Sequence, residues 1–265
     1  MMMKKSRNNL FFFFKYRELL FNLTYREIAQ RYKQSVLGYA WVIINPLSQL
    51  IVLTFVFSTV LKIPSLGVPF IIFLAIGLLP WNLFTQSLST STGALISHSN
   101  LITKIYFPRE ILIYSAILAK IVDFIFACLI IIFFLFIFKV KVTLMFLWVP
   151  AIFFVQLLFM TGLSLISAAF NLFYRDIQYL LQLMLLLWMY VTPIMYPVEL
   201  IPDRFRFALS LNPMSVIVNA YRQVILAGKP PNFQSLLIGL ITSLIVFLLG
   251  FVIFKKLEGQ FADYV

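Results

Sequence analysis

FNLTYREIAQRYKQSVLGYAWVIINP, residues 21–46, changes character halfway along. In its first half Phe21, Tyr25, Ile28 and Tyr32 recur at steps of four, three and four, so a helix places them on one stripe. Arg26, Gln30 and Lys33 fall on the other side, and Glu27 stands four residues before Arg31, the spacing of a helical ion pair. From Val36 the chain turns almost wholly apolar and stays so to Leu61. The pattern is that of a basic amphipathic helix on a membrane surface that feeds directly into a helix crossing it.

Working outward, composition agrees. Of 265 residues, 62% are hydrophobic and 11% are charged, where a soluble domain has roughly a quarter of its residues charged. Mean hydropathy is +1.00. The chain reads as an integral membrane protein, and no polar stretch is long enough to fold separately. One domain is expected over 1–265: an interfacial N-terminal segment (1–35), a membrane region (36–254) and a cytoplasmic tail (255–265). The net charge of +12 would suggest nucleic acid in a soluble protein. Here it suits basic loops against anionic headgroups, so membrane lipids and not nucleic acid are the expected partners. The lone cysteine, Cys128, excludes an internal disulfide. The basic start, Lys4, Lys5 and Arg7 before an apolar run at 10–14, imitates a signal peptide. The run is shorter than the usual 7–15 residues and no small-residue cleavage site follows, so an interfacial anchor is expected.

Six apolar stretches approach the length of about 20 residues that a crossing needs: 36–61, 68–91, 111–138, 144–170, 177–196 and 233–254. With the N-terminus inside, thirteen Lys and Arg fall on the inner side, seven on the outer, and Lys120 lies within a span. That bias favours both termini in the cytoplasm. Between the fifth and sixth stretches, segment 197–232 is too apolar for a free loop and too short to cross; short re-entrant helices are expected there. The fold expected is all-α, with six transmembrane helices, an amphipathic interface helix before them and re-entrant helices before the last.

Catalytic signatures are sparse. His98 is the only histidine, expected in an exposed loop, and the aspartates form no DxD pair. Gly228–Lys229 is followed by Pro230 and lacks the glycine spacing of a phosphate-binding loop. No metal or cofactor is expected on this chain. Lys120 and Asp123 share a face of the third span, and charges at that depth are expensive. An ion pair holding the bundle is expected, a role in conduction being the alternative. Tyr32, Tyr39, Trp41, Trp81, Trp188, Tyr190 and Tyr196 fall near span ends, where amphipathic rings sit at the interface. The alternative is that some line a path for sugars. Gln49, Gln86, Gln156, Gln178 and Gln182 would offer hydrogen bonds along it, or simply join helices.

Five strings carry a resemblance: YKQSVLGYAWVIINPL (32–47), NLITKIYFPREIL (100–112), NLFYRDI (171–177), TPIMYP (192–197) and LNPMSVIVNAYRQVI (211–225). In this order they resemble the permease subunits of ATP-binding-cassette exporters of O-antigen, capsule and teichoic acid. The resemblance implies a homodimer with two cytoplasmic ATPase subunits, which use the ATP and magnesium, and a tunnel for a polymer on a lipid carrier, undecaprenyl diphosphate being the carrier expected. The helix before the first span would be a gate at the lipid interface. Arg26, Arg31, Tyr32, Lys33, Tyr39, Trp41, Trp81, Tyr190 and Tyr196 are the candidate residues of the path or gate. Within 97–110, Asn100, Thr103, Lys104, Phe107, Pro108, Arg109 and Glu110 are candidates for the ATPase contact, because force must pass through a short stiff element joined to a span. Arg109 and Glu110 are expected to form a local salt bridge with each other, pairing across or near the ATPase contact being the alternative. The chain is read as a permease of a bacterial inner membrane and not an enzyme. The competing classes are a drug or small-lipid exporter of the same architecture, and an intramembrane enzyme of envelope synthesis, which would need the clustered acids or histidines that this sequence lacks.

Overall fold

The computed structural model describes residues 9–33, 35–65, 67–202, 204, 209 and 211–264, with side chains from Lys15 onward except that of Tyr32. Lys4, Lys5, Arg7, the side chains of the 10–14 run and much of the apolar stretch 205–210 lie outside the described residues. Described residues are helical or in turns, as the apolar periodicity implied. The helices are α1 (Asn9–Tyr32), α2 (Trp41–Thr54), α3 (Phe70–Ser97), α4 (Ser99–Lys104), α5 (Glu110–Ile137), α6 (Val149–Phe173), α7 (Ile177–Val191), α8 (Pro213–Ile225), α9 (Phe233–Leu257) and α10 (Phe261–Tyr264).

Among the described residues five apolar helical runs are long enough to cross a bilayer: Gly38–Val60, Phe70–Ser97, Glu110–Ile137, Leu144–Phe173 and Phe233–Tyr264. The expected fifth stretch forms the shorter α7, with 15 residues. At about 1.5 Å per residue such a helix covers roughly 22 Å, less than a hydrocarbon core of about 30 Å. The first run is composite. Pro46 sits inside α2, and beyond it the winding loosens, so that the Leu61 amide reaches back five residues to the Val56 carbonyl at 2.9 Å. Between α7 and α9 the described residues include a tight turn (Val198–Leu200), helical backbone at 204, 209 and 211, and the buried α8. Asn212 caps α8 by accepting the Met214 amide at 3.1 Å, and Pro213 opens its first turn.

Helix α3 is the centre. Its neighbours α5 and α6 flank it along its length, with α2, α7 and α8 against other faces. Most of its side chains are buried, and the opposite faces of α2, α5, α7 and α9 are left exposed as apolar surface. The expected end of the second span is too early: α3 continues to Ser97, and His98 follows it buried, its ring bonded to the Ala94 carbonyl at 3.0 Å. His98 is therefore not an exposed loop residue. It also faces Glu27 of α1 at 3.6 Å.

The tightest helix pair is α6 with α9. A Cβ on Gly250 would stand 2.3 Å from the Gly162 carbonyl oxygen, and one on Gly162 2.6 Å from the Val246 oxygen. The backbones touch because neither residue has a side chain, the usual means of close approach in a membrane. Gly162→Ala is expected to force the helices apart at a cost of about 1–3 kcal/mol. A thermal-unfolding scan in detergent should show this as a lowered midpoint, whereas Gly93→Ala, with nothing within 4 Å of its Cβ, should leave the midpoint in place.

Candidate functional site: a charged cleft beside α1

Three helices each bring a pair of polar residues one helical turn apart. Asn45 and Gln49 come from α2, Asn82 and Gln86 from α3, Lys120 and Asp123 from α5. Such spacing puts both members of a pair on one face. A cavity of about 510 Å³ opens between these faces, with Arg31 of α1 and Trp41 of α2 also in its wall. The Asn82 amide donates to Gln49 Oε1 at 3.0 Å, and Lys120 Nζ donates to Gln86 Oε1 at 3.2 Å. Asp123 stands between two cations: the Arg31 guanidinium donates to its Oδ2, and Lys120 Nζ lies 3.8 Å from the same oxygen. Two positive charges thus face one negative charge, and Arg31 Nη2 is buried with no hydrogen-bond partner. An N–H of this kind in a cationic cleft suits an anion with several acceptor oxygens.

Helix α1 reaches the cleft along a different face from the one its spacing implied. Leu20, Leu23, Glu27 and Arg31 turn toward the bundle, with Leu23 buried. Phe21 and Tyr25, on the expected apolar stripe, are exposed at 71% and 65% and point away from it. The helix therefore has two greasy sides, one for α5 and one for whatever surrounds the protein. The expected pair of Glu27 with Arg31 gives way to Glu27 with His98 and Arg31 with Asp123.

Of the candidate path residues, Arg31, Trp41, Lys120 and Asp123 meet in this cleft. Arg26, Lys33 and Tyr39 are exposed outside it, and the Tyr32 side chain lies outside the described residues. Trp81 is not at a span end but in the buried middle of α3, 5.5 Å from Phe84. Trp188 closes the same aromatic knot against Phe84 and Phe159, its indole donating to Asn212 at 3.0 Å. Tyr190, in the last turn of α7, is joined to Tyr196 beyond it, the Tyr196 hydroxyl donating to the Tyr190 carbonyl at 2.8 Å. Gln156 is a joint between helices, donating to the Pro80 carbonyl at 2.8 Å. Asn45 and Asn82 were missed; their spacing to Gln49 and Gln86 was the signal available.

The second cluster is at the foot of α5. Asn100, Thr103, Lys104, Ile105 and Tyr106 form an exposed edge, Tyr106 almost completely so, while Ile102 and Phe107 anchor it in the core. Pro108 directly precedes the first turn of α5. Arg109 and Glu110 do not pair with each other. Glu258 accepts the Arg109 amide at 3.0 Å and its carbonyl accepts from the Arg109 guanidinium; Glu110 pairs with Lys255 at 2.7 Å. Phe261 packs under the Arg109 side chain and against Phe173. The expected tail is a brace: its helical turns fold back and clamp the base of α4 and α5.

A bundle of apolar helices long enough to cross a bilayer, with a charged cleft between three of them, is the form of a multi-pass membrane protein. The comparisons place it: residues 18–226 match the ABC-2 type transporter family, and the chain belongs to that family. It is 33% identical over 260 residues to an O-antigen export system permease of Klebsiella pneumoniae, covering 98% of each chain. A counterpart in Myxococcus xanthus is 29% identical over 94% of this chain and 96% of its own. The polysialic acid transport protein KpsM of Escherichia coli is 24% identical over 88% of this chain and 91% of its own.

The charge balance of the cleft can be tested directly. Asp123→Asn leaves Arg31 and Lys120 facing each other with Glu27 as the remaining carboxylate near Lys120, and breaking such a pair costs about 3–5 kcal/mol where it is fully buried and less here. The detergent-solubilised midpoint should fall, and adding Lys120→Met should recover part of the loss, a non-additivity that a double-mutant cycle measures.

Proposed function

We propose that this chain is the membrane-spanning subunit of an ABC exporter that carries lipid-linked polysaccharide, O-antigen in the first instance, outward across a bacterial inner membrane. The observation that carries this reading is the end-to-end similarity to permeases named for O-antigen export, up to 33% over 98% of both chains. The chain works as a homodimer with two copies of a separate cytoplasmic ATPase. ATP and magnesium belong to that partner, and this chain binds no cofactor. With α7 counted beside the five long runs the chain crosses six times, so both termini share one side, and the excess of Lys and Arg makes that side the cytoplasm; α8 is then a re-entrant helix of the outer leaflet. The exposed edge from Asn100 to Tyr106 is the ATPase docking element, and the brace at Glu258 and Lys255 makes it stiff enough to move α5.

The lipid carrier is a diphosphate such as undecaprenyl diphosphate, and the cleft beside α1 receives its headgroup. Arg31 and Lys120 supply charge-assisted donors, with Arg26 and Lys33 drawing the anion along the helix from outside. The aromatic and aliphatic surface of α1, Phe21 and Tyr25 included, lies against the acyl region where the carrier's chain would approach.

Deleting the chain from its host should strip long-chain glycan from the cell surface and leave lipid-linked glycan inside. Surface glycan that persists with no internal accumulation would remove the reading. Lys120→Gln, assembled with its ATPase at normal yield, should export about tenfold less, the value of one charge-assisted contact. For the docking edge, a photo-cross-linker at Thr103 or Lys104 should capture the ATPase, while one at Leu248 on the exposed face of α9 should not.

A further inference from the structure

Helix α8 carries one arginine into the protein interior. Arg222 is 7% exposed, and its guanidinium is held by peptide carbonyls. Nη1 donates to the Pro193 carbonyl at 2.6 Å; Nη2 donates to Ile194 at 2.5 Å and to Phe73 at 3.4 Å. The guanidinium also lies over the Phe73 ring, 3.6 Å from its centroid. Three separate segments are thereby fastened at one point: the first turn of α3, the turn that ends α7, and α8. The room for this comes from Gly77, where a Cβ would stand 2.9 Å from Nη2.

Two details make this junction more than packing. First, Nε is buried and has no partner, so the closed arrangement leaves one donor unsatisfied. Second, an adjoining cavity of about 250 Å³ is lined by Glu199, Asn219, Gln223 and Arg222 itself. The guanidinium therefore has a second place to go, with a carboxylate and two amides as acceptors. The structure holds the guanidinium in the carbonyl socket; turned into the cavity beside Glu199 it would take a second discrete arrangement, and a gate requires two.

We propose that Arg222 is the latch of the outer gate: seated on the Pro193 and Ile194 carbonyls it keeps the outer end of the path shut, and released toward Glu199 it lets α8 and the turn after α7 part from α3. It is a positioning residue, acting through the backbone it holds. The proposal rests on the transport reading above, but not on the identity of the cargo.

The test uses the purified complex with its ATPase, reconstituted into sealed liposomes loaded with self-quenched carboxyfluorescein and kept without ATP. Arg222→Met should leak dye about tenfold faster than wild type, because removing a buried charge-assisted bond shifts a closed-to-open ratio by about that factor. Arg222→Lys keeps the charge and one donor without the planar fork, and should leak at an intermediate rate. Gly77→Ala keeps every charged group, evicts Nη2 from its socket, and should leak as well. Liposomes carrying Arg222→Met at normal assembly and as tight as wild type would overturn the latch. If that variant does not assemble, a tight Gly77→Ala complex overturns it. Equal leak in the Lys and Met variants also overturns it, since packing alone would then make the seal. Failure of the wild-type complex to export glycan would count against the proposed function and leave the dye result standing.

Discussion

Helix α3 is hydrogen-bonded by side chains from four of the helices around it. Gln49 of α2 accepts from Asn82, Lys120 of α5 donates to Gln86, Gln156 and Asn171 of α6 donate to the carbonyls of Pro80 and Thr92, and Arg222 of α8 donates to that of Phe73. In a bilayer no water is at hand to replace a lost partner, so each bond fixes the rotation and depth of one neighbour. Apolar packing alone would not do this, because lipid tails are as apolar as leucine. The bundle is thus a central post with keyed attachments, and the two sites of interest are keyed points on that post, the charged cleft near its middle and the Arg222 junction near its start.

Stiffness is unevenly distributed. The α6–α9 pair, with its backbones in contact at Gly162 and Gly250, leaves no slack. The base of α5 is equally firm, tied to the chain's last turns by Glu110, Lys255 and Glu258. By contrast α1 rests on α5 through a small apolar seam and the Arg31, Asp123 and Lys120 charges. A push on the α4 edge would thus travel up α5 as a rigid rod and reach those charges first. The exposed edge stands at the foot of α5, and the cleft near the middle of the same helix.

Much of this is legible in the sequence. The apolar runs gave the long crossings to within a few residues, because α5 and α9 are bounded by Pro108 and Asn232 and by charge at their inner ends. The Lys120 and Asp123 pair was visible as an expensive anomaly. What the sequence hid was partner choice. Arg31 has Glu27 four residues before it, yet bonds Asp123; Arg109 has Glu110 beside it, yet bonds Glu258. Local spacing cannot see partners brought in by tertiary packing. The orientation of α1 was misread for a related reason: both of its sides are apolar, so the hydrophobic stripe did not say which one faces protein. Trp81 stands near the middle of the stretch 68–91 as well as of α3, so its depth argues against an interfacial ring.

The first crossing has one further consequence. In the run Gly38–Val60 Leu50 alone is buried within this chain, and Gln49 on its polar edge finds an answering group in Asn82 of α3. During synthesis that segment emerges ahead of the helix that satisfies it. It would enter the bilayer as a half of a hairpin, waiting in the insertion machinery until α3 follows, and the short connection from Leu61 to Pro69 keeps that wait brief. Biogenesis, and not only transport, is thereby written into the order of the first two crossings.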